Sequence, residues 1–332
     1  MKNIVSATLS LEIKELLYQA KSKVYKSINS TMTLVYWEIG KKIVEEEQEG
    51  SQRATYGKSI IKNLSIELTK EFGKGFSGDN LENMRKFYLA YPKSETVSRK
   101  FGLSWSHYIF LSRMINQDER DFYEIESVSN SWSLRELKRQ FNSGLHERLL
   151  LSRDTDKVLE LSSKGQLVED MDDLIKDPYI LEFVGLPELV TYNESDLEQK
   201  LIDKLEHFLL ELGKGFTFVS RQKRITIDEK HFRVDLVFYN RLLKCFVVID
   251  LKIGELKHQD IGQMMMYVNY FDRVEKTEDE NKTIGIILCK DKSKALVEMT
   301  LPQDNNQIYA SKYLTILPDK KTFQRLLESE DE

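Results

Sequence analysis

The hydrophobic period of the chain changes near residue 215, and this change limits the folds that the chain can adopt. Before that point apolar residues recur at intervals of three and four, which is the spacing of α-helices. After it, short runs of β-branched and aromatic residues alternate with turn residues, which is the pattern of strands. The chain has 332 residues, about twice a typical domain, so we predict two domains of different class.

The first 150 residues are predicted to be all helical. A helical repeat covers residues 10–49, in one long helix or two. The next helix ends at Gly73 or Gly75, because glycine readily takes the left-handed conformation that closes a helix. Ser77 then caps a further helix, so this stretch has the helix, short break and helix of a helix-turn-helix.

The order of elements in the C-terminal half predicts a mixed α/β domain. One helix from Ser195 to Gly213 precedes three strands joined by hairpins, with turns at Asp228 and Asn240. A helix, a strand, a helix, a strand and a final helix follow. This order favours a mixed sheet flanked by helices.

Charge is unevenly distributed along the chain. The net charge is −5 overall, but residues 1–150 carry +4, residues 151–200 carry −8 and the remainder carries −1. Such a shift is typical of a domain boundary. We therefore predict a helical domain over 1–150, an acidic linker over 151–176 and an α/β domain over 177–332.

Composition argues against some classes of protein. No apolar run approaches the roughly 18–20 residues that span a bilayer, so we expect a cytoplasmic protein without a membrane partner. The two cysteines, Cys245 and Cys289, lie in strand-like segments and form no CxxC or Cys/His cluster. Neither a disulfide nor a zinc site is expected.

Two charges stand at the end of a predicted buried strand, in the stretch FVVIDLK. Because side chains alternate along a strand, Asp250 and Lys252 share one face. The hairpin through Asn240 can bring Asp235 of the preceding strand beside Asp250. Two carboxylates this close raise each other's pKa unless a cation lies between them.

The chemistry of these side chains favours a metal site. Hard carboxylate oxygens with open positions suit Mg²⁺, which keeps several waters and also takes a phosphate oxygen. With a lysine beside them, these are the groups needed for metal-assisted hydrolysis of a phosphodiester. A D-x-K pair alone is also typical of a solvated ion pair, so this interpretation depends on further residues.

Three further residues extend the group. Gln263 and Tyr267 share one face of the helix after the strand, where they could offer an amide and a phenol to a phosphate. Core packing of Tyr267 beside an exposed Gln263 is the alternative. In the helix before the sheet, Glu206 lies at the edge of an apolar stripe and is either a third acid or a solvated glutamate.

The combined pattern on an α-β-β-β-α frame resembles the PD-(D/E)XK nuclease superfamily, with the Q-x-x-x-Y addition of its RecB-nuclease-like branch. The chain also resembles the YhcG-type nucleases over nearly its full length. The matching stretches include LVYWEIGKKI and YGKSIIKNLSIELTKEF in the N-terminal half, and FYNRLLKCFVVIDLKIG and GQMMMYVNYFD in the C-terminal half. The resemblance implies a restriction-endonuclease-like fold preceded by a helical domain that binds DNA or partners.

The resemblance also implies site roles. Asp235 and Asp250 would bind Mg²⁺, for which Mn²⁺ would substitute, and Lys252 would be the catalytic lysine. Glu206 would be an auxiliary metal-binding acid on the helix. Gln263 and Tyr267 would be accessory residues. Val234 stands where the motif name has proline, a position that varies within the superfamily.

The helical half has candidate contacts of its own. Residues 53–100 carry ten Lys or Arg and five acids. In a helix-turn-helix the second helix would present polar and basic side chains to bases or phosphates. The candidates are Asn80, Asn83, Arg85 and Lys86. A helical bundle with a solvated polar face is the alternative.

Two hypotheses of function follow. The first is a Mg²⁺-dependent endo- or exodeoxyribonuclease in DNA processing or defence, whose helical domain binds DNA or a protein partner; RNA is the weaker substrate. The second is a binding or assembly module of a defence or regulatory complex, with little or no nuclease activity alone. Many nucleases with this fold pair to cut both strands, so the resemblance also suggests a homodimer.

Overall fold

The computed structural model describes residues 7–49, 54–92, 101–151, 161, 163–170, 172–186 and 192–317. Its helices are α1 Ala7–Glu49, α2 Ala54–Phe72, α3 Gly78–Ala90, α4 Trp105–Leu111, α5 Gln117–Ser129, α6 Leu134–Asn142, α7 Leu145–Leu151, α8 Glu194–Asp203, α9 Leu205–Leu212, α10 His258–Tyr270 and α11 Lys294–Thr300. Its strands are β1 Tyr179–Ile180, β2 Phe216–Ile227, β3 Lys230–Asn240, β4 Cys245–Leu251, β5 Ile284–Cys289 and β6 Ile308–Leu314.

The first three helices follow the predicted boundaries. The repeat of residues 10–49 forms one helix, α1, rather than two. α2 ends before Gly73, whose positive φ of 89° suits glycine. The Ser77 hydroxyl accepts a hydrogen bond from the backbone N–H of Asn80 and caps α3. A short 3-10 turn joins α2 to α3, so the helices and connection of the predicted motif are present.

Close backbone packing joins α1 to α3. A Cβ atom on Gly40 would lie 2.1 Å from the carbonyl oxygen of Met84, so only glycine allows the two helices to approach this far. The indole N–H of Trp37 donates to the carbonyl oxygen of Tyr91 at 2.9 Å. These contacts fix the C-terminal half of α1 against the end of α3.

The chain divides into two compact units, Met1–Leu137 and Lys138–Glu332. Part of the acidic stretch is packed, because Leu174 and Lys176 are buried in the second unit. The limits of an acidic linker, 151–176, stay a prediction.

A buried network of charges joins α7, α9 and β1 within the second unit. Glu211 and Arg148 are fully buried and lie 2.5 Å apart. Arg139 lies 3.3 Å from Glu211, the N–H of Ile180 donates to Glu211 at 2.9 Å, and the ammonium of Lys176 donates to the backbone carbonyl of Glu211. Burial alone would raise the pKa of Glu211, but the surrounding cations outweigh it and lower that pKa to about 2.

The six strands form one mixed sheet in the order β1-β6-β5-β4-β3-β2. β2, β3 and β4 are antiparallel neighbours, whereas β4, β5, β6 and β1 run parallel. The predicted strands FTFVS and RITI are one continuous strand, β2. The predicted final helix lies outside the described residues.

Helices cover both faces of this sheet. Leucines and a phenylalanine of α8 and α9 pack on one face, and α10 packs on the other. The approach of α10 requires Gly285 in β5, because a Cβ atom there would lie 2.5 Å from the sulfur of Met264. A mixed sheet between helices, preceded by a helical region, confirms the predicted fold class.

Both cysteines are free and buried, as predicted. Burial raises the pKa of Cys245 and of Cys289 to about 11, so both thiols stay protonated at neutral pH. None of the helices in the described ranges combines the length and apolarity needed to cross a bilayer.

Candidate active site

The hairpin between β3 and β4 brings two aspartates together. The register of these strands pairs Leu236 with Ile249. One step further along, Asp235 stands across from Asp250, and the two carboxyl groups interact electrostatically. Asp250 is 3% exposed, whereas Asp235 is half-buried. The structure thus gathers both acids where β4 ends.

Neighbouring groups hold each acid in place. Asp235 Oδ2 accepts from the backbone N–H of Leu251 at 2.9 Å. Asp250 Oδ2 lies 2.9 Å from Lys252 Nζ. The backbone N–H of Lys252 donates in turn to the carbonyl oxygen of Leu288 in β5, at 2.8 Å. The aspartates and the lysine predicted from the sequence therefore converge.

The electrostatics of these groups reflect their burial. Burial, followed by the charge of Asp235, raises the pKa of Asp250, although Lys252 opposes the shift. Burial alone would lower the pKa of Lys252, but the Asp250 carboxylate outweighs it and the pKa of Lys252 is raised. Lys252 is therefore a cation at neutral pH and not a proton acceptor.

The donor set fits a hard divalent cation. Mg²⁺ is bound in proteins through one or two carboxylates and several waters, and Asp235 and Asp250 provide that number. A cation between them would also offset the repulsion by Asp235, which adds to the effect of burial in raising the pKa of Asp250. No cluster of three or more His, Cys, Asp or Glu side chains suited to a metal occurs in the described ranges. With Asp235 and Asp250 as its protein ligands, a bound Mg²⁺ would keep its remaining positions for water or a phosphate oxygen.

Two residues that sequence reasoning missed, Glu198 and Gln222, complete the site. Glu198 of α8 is 7% exposed. Gln222 Nε2 donates to Glu198 Oε2 at 2.5 Å and to Asp235 Oδ1 at 3.1 Å. Burial raises the pKa of Glu198 and the charge of Asp235 adds to this, while the hydrogen bond from Gln222 opposes it. Glu198 is thus a helix acid coupled to Asp235.

The backbone of Gln222 is unusual for a strand. Its φ of 48° lies in the left-handed region, which costs a residue other than glycine about 1–3 kcal/mol and occurs mainly at functional sites. No sequence signal reveals this conformation, because glutamine has no preference for it.

Glu206, the predicted helix acid, lies elsewhere and is exposed. The helix predicted over Ser195–Gly213 is in fact two helices, because Lys204 has non-helical angles of −120° and 31° between α8 and α9. The apolar stripe continues across this break, because Leu201 of α8 and Phe208 of α9 lie in the same buried core, but Glu206 beside it stays exposed. The helix acid that is linked to Asp235, through Gln222, is Glu198.

Gln263 and Tyr267 form a hydrogen-bonded pair behind the acids. Gln263 Nε2 donates to the Tyr267 hydroxyl at 2.7 Å, and this hydroxyl donates to the carbonyl oxygen of Arg233 at 2.8 Å. Burial, followed by the charges of Asp250 and Asp235, raises the pKa of the buried Tyr267 to about 12. The protonated phenol therefore fixes β3 two residues before Asp235.

Two of the four candidate contacts in the helical unit are engaged within that unit. The Asn80 amide donates to the carbonyl oxygen of Gly75 at 2.5 Å and accepts from the indole of Trp105 at 2.9 Å. Arg85 forms an ion pair with Glu47 at 2.7 Å. These contacts stabilise the turn between α2 and α3 and the packing of α3 on α1.

The other two candidates are nearer to the surface. Lys86 is exposed and lies 3.7 Å from Glu82, one helical turn earlier. Asn83 is half-buried. A DNA contact by α3 would therefore depend mainly on Asn83 and Lys86.

Comparison with known proteins identifies both parts of the chain. Residues 172–328 match the family described as the YhcG PDDEXK nuclease domain, and residues 12–148 match the DUF1016 N-terminal domain. The chain is 39% identical over 339 residues to the Escherichia coli (strain K12) protein named "Putative nuclease YhcG", which covers 93% of this chain and 90% of that protein. The chain belongs to the YhcG nuclease family.

Two solved structures resemble part of this YhcG-family chain. A repair endonuclease from Pyrococcus abyssi matches with a TM-score of 0.26 and 16% identity, over 38% of this chain and 49% of that one. The apo form of EndoMS matches with a TM-score of 0.25 and 16% identity, over 40% of this chain and 49% of that one.

The YhcG nuclease match contains the whole candidate site. Its span, residues 172–328, begins before Glu198 and ends after Tyr267. Membership of the YhcG family confirms the resemblance predicted from the sequence and makes a PD-(D/E)XK nuclease domain the C-terminal part of the chain.

Proposed function

We propose that this YhcG-family protein is a Mg²⁺-dependent nuclease that hydrolyses phosphodiester bonds of DNA. The observation that carries the proposal is the convergence of Asp235, Asp250 and Lys252 at the end of β4. Family membership supports the nuclease class. Mn²⁺ is expected to substitute, because it also takes carboxylate and water ligands.

Asp235 and Asp250 would hold the ion, with Glu198 as the third acid. When bound, the ion would polarise the scissile phosphate and lower the pKa of a coordinated water. The two aspartates are positioned before substrate arrives, because Leu251 and Lys252 each hold one of them.

Lys252 would act on the phosphate as a fixed positive charge. Its side chain is 17% exposed and stays protonated beside Asp250. A cation in such a sheltered place stabilises the negative charge that develops on the phosphate oxygens.

Gln263 and Tyr267 would serve the reaction as positioning residues. Their hydrogen bonds end on the carbonyl oxygen of Arg233, so they determine where β3 presents Asp235. The buried phenol keeps its proton and offers no base.

Cleavage assays with the purified protein test this proposal. Labelled linear, circular and single-stranded DNA and matched RNA are incubated with Mg²⁺, Mn²⁺ or EDTA. Asp250→Asn and Lys252→Ala are each expected to slow metal-dependent cleavage by about 100-fold or more, because each removes charge stabilisation at the phosphate. Asp279→Asn, in an exposed turn, is the matched control. Undiminished cleavage by Asp250→Asn would exclude this site, and a lack of cleavage under every condition favours the binding module.

An assembly role is favoured by α1. In the described part of the chain, its N-terminal portion exposes a series of apolar side chains. These include Leu9, Ile13, Leu16, Leu17, Val24 and Ile28. Further along, α1 and α2 enclose an apolar groove of about 550 Å³. Its lining includes Ile39, Ile43, Ile60, Leu64 and Leu68. Exposed apolar surface of this extent marks a protein contact.

We assign this surface to a second copy of the chain. Residues 7–35 carry a net charge of +2 and residues 36–49 carry −3. Two α1 helices in antiparallel contact would therefore oppose unlike charges while covering each other's apolar residues. The resulting homodimer would contain two nuclease sites.

A further inference from the structure

The candidate site contains one polar residue that the nuclease motif does not include. β2 and β3 pair Lys223 with Val234, which puts Gln222 across from Asp235. The backbone of Gln222 is left-handed, a conformation that residues other than glycine keep only where their surroundings impose it. The structure therefore holds this side chain in one place.

The amide of Gln222 lies between two acids. Its Nε2 is 2.5 Å from Glu198 Oε2 and 3.1 Å from Asp235 Oδ1. Ionised carboxylates only accept hydrogen bonds, so the NH₂ end of the amide must face them and donate one N–H to each. The amide separates two like charges that would otherwise repel each other.

A divalent ion bound by both Glu198 and Asp235 would occupy the position of the Gln222 amide. The amide is neutral, so its N–H groups offset the repulsion only in part, whereas a cation offsets it fully. We expect an ion bound by both acids to displace the Gln222 amide, which now lies between Glu198 Oε2 and Asp235 Oδ1.

We propose that Gln222 is a positioning residue that holds Glu198 and Asp235 together in the metal-free protein and yields its place to the metal ion. This inference rests on the proposed function, because it presumes that the acids bind a cation. Gln222 is not a ligand here, since the end of its amide that faces the acids is a donor.

Removal of the Gln222 side chain should change the affinity of the protein for the metal ion. If the hydrogen bonds of Gln222 exist only without metal, removing them destabilises only the metal-free protein. By linkage the metal must then bind more tightly. Two charge-assisted hydrogen bonds are exchanged for water, so we expect the Kd for Mn²⁺ to fall about tenfold.

Titration of the full-length protein with Mn²⁺, by calorimetry and by the electron paramagnetic resonance of free Mn²⁺, tests this. The variants are Gln222→Ala and Gln222→Gly, the second of which also relieves the left-handed backbone. Gln199→Ala is the control, because Gln199 makes an equivalent contact to Asp203 at 2.8 Å on the exposed side of α8. Thermal unfolding with and without Mn²⁺ accompanies each titration.

Both Gln222 variants are expected to bind Mn²⁺ more tightly than the wild type, and Gln199→Ala is expected to bind it with an unchanged Kd. Mn²⁺ should also raise the Tm of the Gln222 variants more than that of the wild type. Wild-type binding with an unchanged or weaker Kd in the variants overturns the role of Gln222 and leaves the nuclease proposal standing. A lack of Mn²⁺ binding by wild type and variants alike overturns both. Mn²⁺ binding by the Gln222 variants but not by the wild type would support the proposal most strongly, because the amide would then block the ion completely.

Discussion

At the scale of single residues, the surroundings of an acidic side chain determine whether it can take part in a metal site, and its residue type alone does not. Glu198 and Glu206 are both helix glutamates next to a leucine of the same stripe. The first is buried and linked to Asp235 through Gln222, whereas the second is exposed to solvent. We therefore place Glu198 in the proposed metal site and leave Glu206 outside it.

Substitution of the two glutamates separates them. Glu198→Gln is expected to lower the rate of DNA cleavage about 10- to 100-fold, as for groups that support metal ligands, and Glu206→Gln to change it less than about twofold. The measurement is the single-turnover rate at saturating Mg²⁺, with folding checked by circular dichroism. Equal losses in the two variants would contradict this assignment.

At the scale of elements, the C-terminal unit depends on the buried contact between α7 and α9. Arg148 and Glu211 are both fully buried, and Glu211 also accepts a hydrogen bond from the backbone N–H of Ile180 in β1. Loss of one partner would leave the other charge buried without compensation. This contact therefore links two residues of different helices that are 63 positions apart in the chain.

Glu211→Gln is expected to lower the free energy of unfolding by about 3–5 kcal/mol at neutral pH, measured by urea denaturation. Glu182→Gln is the control, because its ion pair with Arg139 is partly exposed, with side chains 23% and 13% exposed, and should contribute less than the fully buried pair. If Glu211→Gln lowers the free energy of unfolding no more than the control does, the buried pair does not contribute extra stability.

The same pair predicts a pH dependence of stability. The pKa of Glu211 in the folded state is about 2, below the ordinary value of about 4.3 in an unfolded chain. A depressed carboxyl pKa stabilises the fold fully above about pH 4.3, and this contribution is lost as the pH falls towards 2. The difference in unfolding free energy between wild type and Glu211→Gln should therefore shrink over that interval and stay constant from pH 5 to 7.

At the scale of the whole molecule, α1 is the element best suited to join two copies of the chain. Its 43 residues extend about 65 Å, and its apolar side chains continue well beyond the part that packs on α3. A second copy of α1 in the proposed homodimer would cover them along their length.

If the proposed homodimer forms, Leu17→Glu combined with Ile28→Glu is expected to convert it to a monomer, because both side chains are more than half exposed on α1 and would be buried in the pair. Sedimentation velocity at several concentrations measures the mass. Ile115→Glu is the control, since Ile115 is 99% exposed and lies outside α1. Sedimentation of the wild type as a monomer at every concentration would contradict the proposed homodimer.

The convergence of Asp235, Asp250 and Lys252 could be predicted because local rules determine it. Alternation along β4 places Asp250 and Lys252 on one face, and the hairpin turn determines which residue of β3 stands across from them. The helical caps follow the same logic: Ser133 and Glu136 exchange the two hydrogen bonds of a capping box at α6. Each of these depends on residues close together in the chain.

The sequence by itself therefore determined the two classes of structure, the position of the sheet and the group Asp235, Asp250 and Lys252. Only the tertiary structure decided that Glu198 rather than Glu206 faces the acids, and that Gln222 lies between them. The reason is physical: the non-helical angles of Lys204 and the left-handed backbone of Gln222 are conformations that these residue types do not favour by themselves. No pattern in a single segment records what a neighbouring element imposes on it.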